Sequence, residues 1–147
     1  MTCRNCILRL TAALRPLSDT NNKHHDRIKA NVRAARTKYY VYIIELDREF
    51  ALTRRARQAN PKQDLKKPCI YVGSSSKTPE ERCREHMKGA RNSRGPLFSR
   101  VVYRYGKCLL PKEYRKYNPI DTREKALEME RKLTDKYRKQ GYTVWSN

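Results

Sequence analysis

At Tyr39 the texture of this chain changes abruptly. Tyr39-Tyr40-Val41-Tyr42-Ile43-Ile44 is an unbroken aromatic and β-branched run. Side chains of that kind fit a pleated, buried surface, so the run reads as a strand from which a core has to be built. Residues 1 to about 37 offer no comparable segment. They are polar and basic, with Ser18-Asp19-Thr20-Asn21-Asn22 as a break and helical propensity in the alanines of 31–37, and they read as an arm. After the strand comes a polar stretch from about Asp47 to Lys67, with seven basic and three acidic residues, including Arg54-Arg55-Ala56-Arg57. Cys69-Ile70-Tyr71-Val72-Gly73 is expected as a second short strand, ending where glycine permits a sharp turn.

Helices follow. Thr78-Pro79-Glu80-Glu81 is a helix start with an N-cap threonine, proline at the first helical position and glutamate at the third, predicting a helix to about Lys88 that stops at Gly89. Apolar residues at 97, 98, 101, 102 and 105 have helical spacing before Gly106. Cys108-Leu109-Leu110 reads as a short third strand closed by Pro111. Thr122 caps a last long helix whose apolar stripe is Ala126, Leu127, Met129, Leu133 and Tyr137. It ends at Gly141, and Tyr142-Thr143-Val144-Trp145 looks extended. Strand, strand, helix, helix, strand, helix is the order of a small α+β domain.

Charge indicates what such a domain meets. Thirty-five Lys and Arg against fifteen Asp and Glu leave +20 on 147 residues. That excess excludes an acidic solvating chain and points to a polyanionic partner: DNA, RNA or an anionic membrane surface. The membrane is disfavoured, because no apolar run approaches the ~20 residues of a spanning helix. Cysteines fall at positions 3, 6, 69, 83 and 108, an odd number with irregular spacing. This is no disulfide framework and reads as reduced thiols in a cytoplasmic setting. Cys3 and Cys6 form half of a zinc ribbon with no second half, and His24 and His25 complete no finger spacing. Three arginines without an acid before Asp19 have the flavour of a transit peptide, but a basic amphipathic helix over about 6–16 is the preferred reading.

Five residues carry chemistry. Tyr42 and Tyr71 stand on the two strands, Arg82 and His86 lie four apart on one helix face, and Glu130 sits between apolar Met129 and Leu133. Together they suit phosphodiester cleavage. Arginine grips a phosphate through its planar fork. A carboxylate can hold one Mg²⁺ that keeps most of its waters. A tyrosine can take a proton from water only if cations depress its pKa. Glu128 lies about 200° from Glu130 around the helix, so only one of them joins the inward stripe.

Tyr40-Val41-Tyr42 followed by Tyr71-Val72-Gly73 resembles the paired signature of the GIY-YIG endonuclease family, with the first triplet departing at its first two residues. Gly73-Ser74 leading to Arg82-x-x-x-His86 is similar to the helix of phage homing and restriction members. Ala126-Leu127-Glu128-Met129-Glu130-x-x-Leu133 resembles the family's metal-binding helix, with Glu130 at the ligand position. The pattern covers about residues 39 to 147. The spacer between the tyrosine triplets is far longer than in compact members. The tail, Tyr142-Thr143-Val144-Trp145-Ser146-Asn147, separates Asn147 from the tyrosine that directly precedes the family's C-terminal Asn.

The resemblance implies a three-stranded antiparallel sheet flanked by helices over 38–147, with a basic arm (1–37) and a basic insertion (47–67) between the first two strands. It also implies a Mg²⁺-dependent DNA endonuclease, with Mn²⁺ as a substitute, leaving 5′-phosphate and 3′-hydroxyl ends. Glu130 would hold the metal, Arg82 the scissile phosphate, and Tyr71 or Tyr42 would activate water with His86 in support. Arg54, Arg55, Arg57 and Lys77 are the expected DNA contacts. Cutting both strands with one site per chain would require pairing of two copies or two successive nicks. A noncatalytic nucleic-acid binder that keeps the fold accounts for the charge equally well, and a zinc-organised RNA-binding protein is a third reading.

Overall fold

A computed structural model describes residues 37–91, 93–95 and 99–146. The arm up to residue 36, the Cys3/Cys6 and His24/His25 readings, residues 97 and 98, and Asn147 lie outside the described residues. Among the described residues there are four strands: β1 (Tyr40–Leu46), β2 (Cys69–Ser75), β3 (Gly106–Leu109) and β4 (Thr143–Trp145). They form one sheet in the order β3-β1-β2-β4.

The expected three-stranded antiparallel sheet is thus corrected to a four-stranded mixed one. β2 pairs antiparallel with β1, and β1 antiparallel with β3, but β4 adds parallel to β2 through Cys69–Thr143, Ile70–Val144 and Tyr71–Trp145. The segment that merely looked extended is the fourth strand. A three-residue strand has too little sequence to show a period, and its pairing partner lies on the far side of the long helix.

Both central strands are buried without alternation, from Val41 to Ile44 and from Cys69 to Gly73. A sheet with one wet face would alternate, so both faces are covered. The covering helices are α1 (Arg54–Ala59), α2 (Pro79–Met87), α3 (Arg100–Tyr105), α4 (Pro111–Tyr114) and α5 (Arg123–Lys139). Among the described residues no helix is long and apolar enough to cross a membrane.

The α2 start follows the local chemistry. Thr78 accepts from the Glu81 backbone N–H, and Glu81 Oε2 accepts from the Thr78 N–H at 3.1 Å, completing a capping box with Pro79 at the start. α5 is capped by Thr122, carries Lys136, Arg138 and Lys139 in its last turn, and ends at Gly141, whose φ of 84° is the left-handed conformation that glycine permits.

The segment between β1 and β2 is ordered around apolar residues rather than its charges. A 3-10 turn at Arg48–Leu52 and α1 bury Phe50, Ala51 and Ala56. Asn60, directly after α1, is 3% exposed and replaces a strand neighbour for β4. Its Oδ1 accepts from Val144 N at 3.0 Å, and its Nδ2 donates to Val144 O at 3.0 Å and Ala56 O at 2.9 Å. Asn118 does the same for β1, with Val41 N donating to Oδ1 and Nδ2 donating to Val41 O, both at 2.8 Å. Two side-chain amides therefore complete strand edges that the short β3 and β4 leave open.

Candidate active site

Antiparallel register places Tyr42 opposite Gly73 and Ile44 opposite Tyr71. Paired residues share a sheet face, so the two tyrosines and the glycine lie together. The tyrosine rings are 6.0 Å apart and both are buried. A Cβ at Gly73 would stand 2.7 Å from Tyr42 Cζ and 2.8 Å from Tyr71 Cε1. β2 runs on to Ser75, so Gly73 is not the strand end with a sharp turn that its sequence suggests. It is the space the rings occupy. Gly73→Ala is expected to destabilise the fold by about 2 kcal/mol through overpacking. Urea unfolding checks this, and an unchanged midpoint would mean the rings move aside without cost.

α2 brings its side chains to this face. His86 is 1% exposed, and its Nε2 lies 2.9 Å from the Tyr42 hydroxyl. Burial, aided by the Arg82 charge, pushes the imidazole down to about 4, so it is neutral at ordinary pH. A neutral ring protonated on Nδ1 accepts the tyrosine hydrogen at Nε2. The Tyr42 hydroxyl is pushed up to about 12 by burial, against the Arg82 charge and hydrogen bonding to Tyr71 and Arg82. Burial raises Tyr71 further still. Neither phenol ionises unaided at neutral pH.

The depressed His86 pKa has a consequence for stability. Between about 4 and 6.5 the unfolded chain binds a proton that the native imidazole does not. The stabilisation is complete above 6.5 and lost as pH falls toward about 4, a loss of roughly 3 kcal/mol. Glu130 works in the opposite sense, because burial raises its pKa. Denaturant melts from pH 7 to 4 should show the loss, and His86→Gln should flatten it. An equally steep fall in that variant would place the effect elsewhere.

Arg82 is 17% exposed, and its guanidinium meets Glu85 Oε2 at 3.0 Å. Lys77 pairs with the other Glu85 oxygen. Glu85 therefore holds both cations at the edge of the site. The spacing of three from Arg82 was its visible signal in the sequence. The two cations hold the Glu85 carboxyl below its ordinary value.

α5 supplies the acid. With Ala126 as zero, Glu130 falls about 40° around the helix, inside the stripe that buries Leu133 and Tyr137. Its carboxylate accepts from the Ser74 hydroxyl at 2.5 Å. Burial raises its pKa, partly offset by the Ser74 bond, and its charge in turn raises both tyrosines. Glu128, on the outer side, is exposed and paired with Lys132 at 2.7 Å. Ser74, the strand residue after Gly73, is the positioning partner of Glu130.

The donor set suits a hydrated hard cation. Among the described residues no group of three or more His, Cys, Asp and Glu side chains forms a protein cage. Mg²⁺ takes oxygen ligands, retains waters and is commonly bound by one or two carboxylates plus substrate phosphate. Glu130 is an acceptor of that type, and a cation beside it would offset the cost of burying its charge. Glu130, with substrate oxygens, would hold such an ion.

Tyr42, Tyr71, Arg82, His86 and Glu130 thus meet around one end of β2. The expected DNA contacts are more dispersed. Arg57 is exposed and donates from Nε and Nη2 to Leu52 O at 3.1 and 2.6 Å. Arg55 lies over the Trp145 ring at 5.6 Å, Arg54 is exposed, and Lys77 is engaged with Glu85.

The model of one protein family, described as the GIY-YIG catalytic domain, matches residues 38–143, more than two thirds of the chain and every residue of this site. Comparisons with curated proteins and with solved structures give no match.

Proposed function

The chain belongs to the GIY-YIG family, a nuclease family acting on nucleic acid, and from that premise we propose that it is a Mg²⁺-dependent DNA endonuclease. The observation that carries the reading is Glu130, a carboxylate held half-buried by Ser74 where the tyrosine pair and Arg82 converge. A structural helix would place an apolar residue there.

Glu130 would hold the Mg²⁺ ion, whose positive charge would offset the negative charge that develops on the phosphate and the leaving group. Arg82 grips a nonbridging oxygen, with its guanidinium oriented by Glu85. Tyr42 takes the proton of the attacking water. Because its own pKa is high, it must pass its proton on as it does so, and neutral His86 at 2.9 Å is the acceptor. The water oxygen bonds to phosphorus as the bond to the 3′-oxygen breaks. The departing 3′-oxygen takes a proton from bulk water, His86 releases the relayed proton to solvent and returns to its neutral form, and the products are a 5′-phosphate and a 3′-hydroxyl. Tyr71 packs against Tyr42 and keeps water from the buried side. The cytoplasm is the setting we propose, with the basic arm of residues 1–37 and the exposed arginines of 47–67 drawing in the polyanion.

Incubating supercoiled plasmid with the protein in Mg²⁺, Mn²⁺ or EDTA tests this. Nicking in either metal, none in EDTA, and ends that a ligase reseals are the expected outcome. Binding without nicking in any metal would establish the noncatalytic reading instead.

A further inference from the structure

On the tyrosine-bearing side of the sheet, beyond the candidate active site, lies a groove of about 300 Å³. Arg55, Arg100 and Arg104 wall it, over Phe50 and Tyr105, and no acidic residue lines it. Phe50 packs against both Tyr105 (5.5 Å between centroids) and Trp145 (5.9 Å). Trp145 is the register neighbour of Tyr71 on β2. The groove therefore joins the catalytic face through one tryptophan without sharing a residue with it.

Three guanidiniums around one pocket repel one another, and in a chain of +20 no general acidity offsets them. Two are held in place: Arg55 lies over Trp145 at 5.6 Å, and Arg104 over Tyr105 at 5.4 Å. Arg100 is exposed and has no ion pair among the described residues. The nearby Asp47 carboxylate is already engaged by Lys107 at 3.2 Å. Guanidiniums held near aromatic rings over an apolar floor offer the forked donors that phosphate oxygens accept.

We propose that this Arg55–Arg100–Arg104 groove is a second DNA site, which binds a backbone phosphate of the substrate away from the scissile one. The inference rests on the nucleic-acid substrate proposed above and adds where the strand runs: from Glu130 and Arg82, past Trp145, to α3. The site reads no base. It anchors the strand by charge, so its loss should weaken all sequences alike.

The test uses the full chain in EDTA, so that binding is read independently of cleavage. Affinity for a fluorescent duplex is measured from 50 to 300 mM NaCl for wild type, for Arg100→Gln/Arg104→Gln, and for Lys112→Gln/Lys116→Gln, which loses equal charge elsewhere on the surface. All four side chains are exposed, so folding should be unaffected. The arginine double should bind about tenfold more weakly near 0.1 M salt, with the log–log salt slope shallower by about one, as loss of one phosphate contact requires, and the lysine double should change little. Equal losses in both doubles, or none in the arginine double, would overturn the site and leave only diffuse attraction. A parallel Mg²⁺ incubation reads the nuclease proposal separately. A chain that never cuts but shows the selective binding loss keeps this site and loses that proposal.

Discussion

Glu130→Gln should leave the protein folded and bound to DNA while cleavage in Mg²⁺ falls about a thousandfold. The carboxamide has the shape of the carboxylate and still offers an oxygen to the Ser74 hydroxyl, now 2.5 Å from Oε2. Removing a half-buried charge from the α5 stripe costs no packing. It also relieves the burial penalty that raises the carboxyl pKa, so the variant should melt at or above the wild-type temperature. What it loses is the anion that would hold a divalent cation. Plasmid nicking beside a gel-shift titration separates the two functions. A variant that cuts at the wild-type rate would mean that Glu130 holds no catalytic metal. Glu128→Gln is the matched control: its carboxylate is solvent-exposed and pairs with Lys132, so activity should be unchanged.

The largest effect on stability is expected from Asn60→Ala, at about 4 kcal/mol, lowering the urea midpoint without changing the family motifs. The substitution removes the partner of both Val144 N and Val144 O and leaves two backbone groups unpaired at a buried strand. Each such group costs about 1–3 kcal/mol when left unpaired. The Ala56 carbonyl and Arg138 Nε lose a partner as well. β4 should loosen first, seen as faster amide exchange at Val144 than at Val72, which the sheet interior protects. A loss below about 1 kcal/mol would show that water replaces the amide.

Legibility varied with the range of the interaction. The capping box at Thr78–Glu81 depends on four consecutive residues, and the α5 stripe on a repeat of 3.6, so both could be read directly. The phase of that stripe also separated inward Glu130 from outward Glu128. Gly73 was visible as a glycine, but its reason was not: a turn and a clearance for two rings demand the same residue. The hydrogen bonds of Arg57 to the Leu52 carbonyl leave no trace in the spacing of the basic run, because they depend on where the chain turns.

Local order in this protein is set by neighbours along the chain, and the sequence alone determined it: two aromatic and β-branched strands, a capped helix bearing Arg82 and His86, and the helix face carrying Glu130. Those residues also determined the family. Tertiary structure alone decided the parallel addition of β4, the grip of Asn60 on Val144 across 84 residues, that of Asn118 on Val41 across 77, and the Ser74–Glu130 bond across 56. Such contacts have no period, and each partner is an ordinary polar residue in its own neighbourhood. They exist because closing the chain buries backbone groups at open strand edges and a carboxylate beside two phenols, and buried polar groups require partners wherever the sequence supplies them.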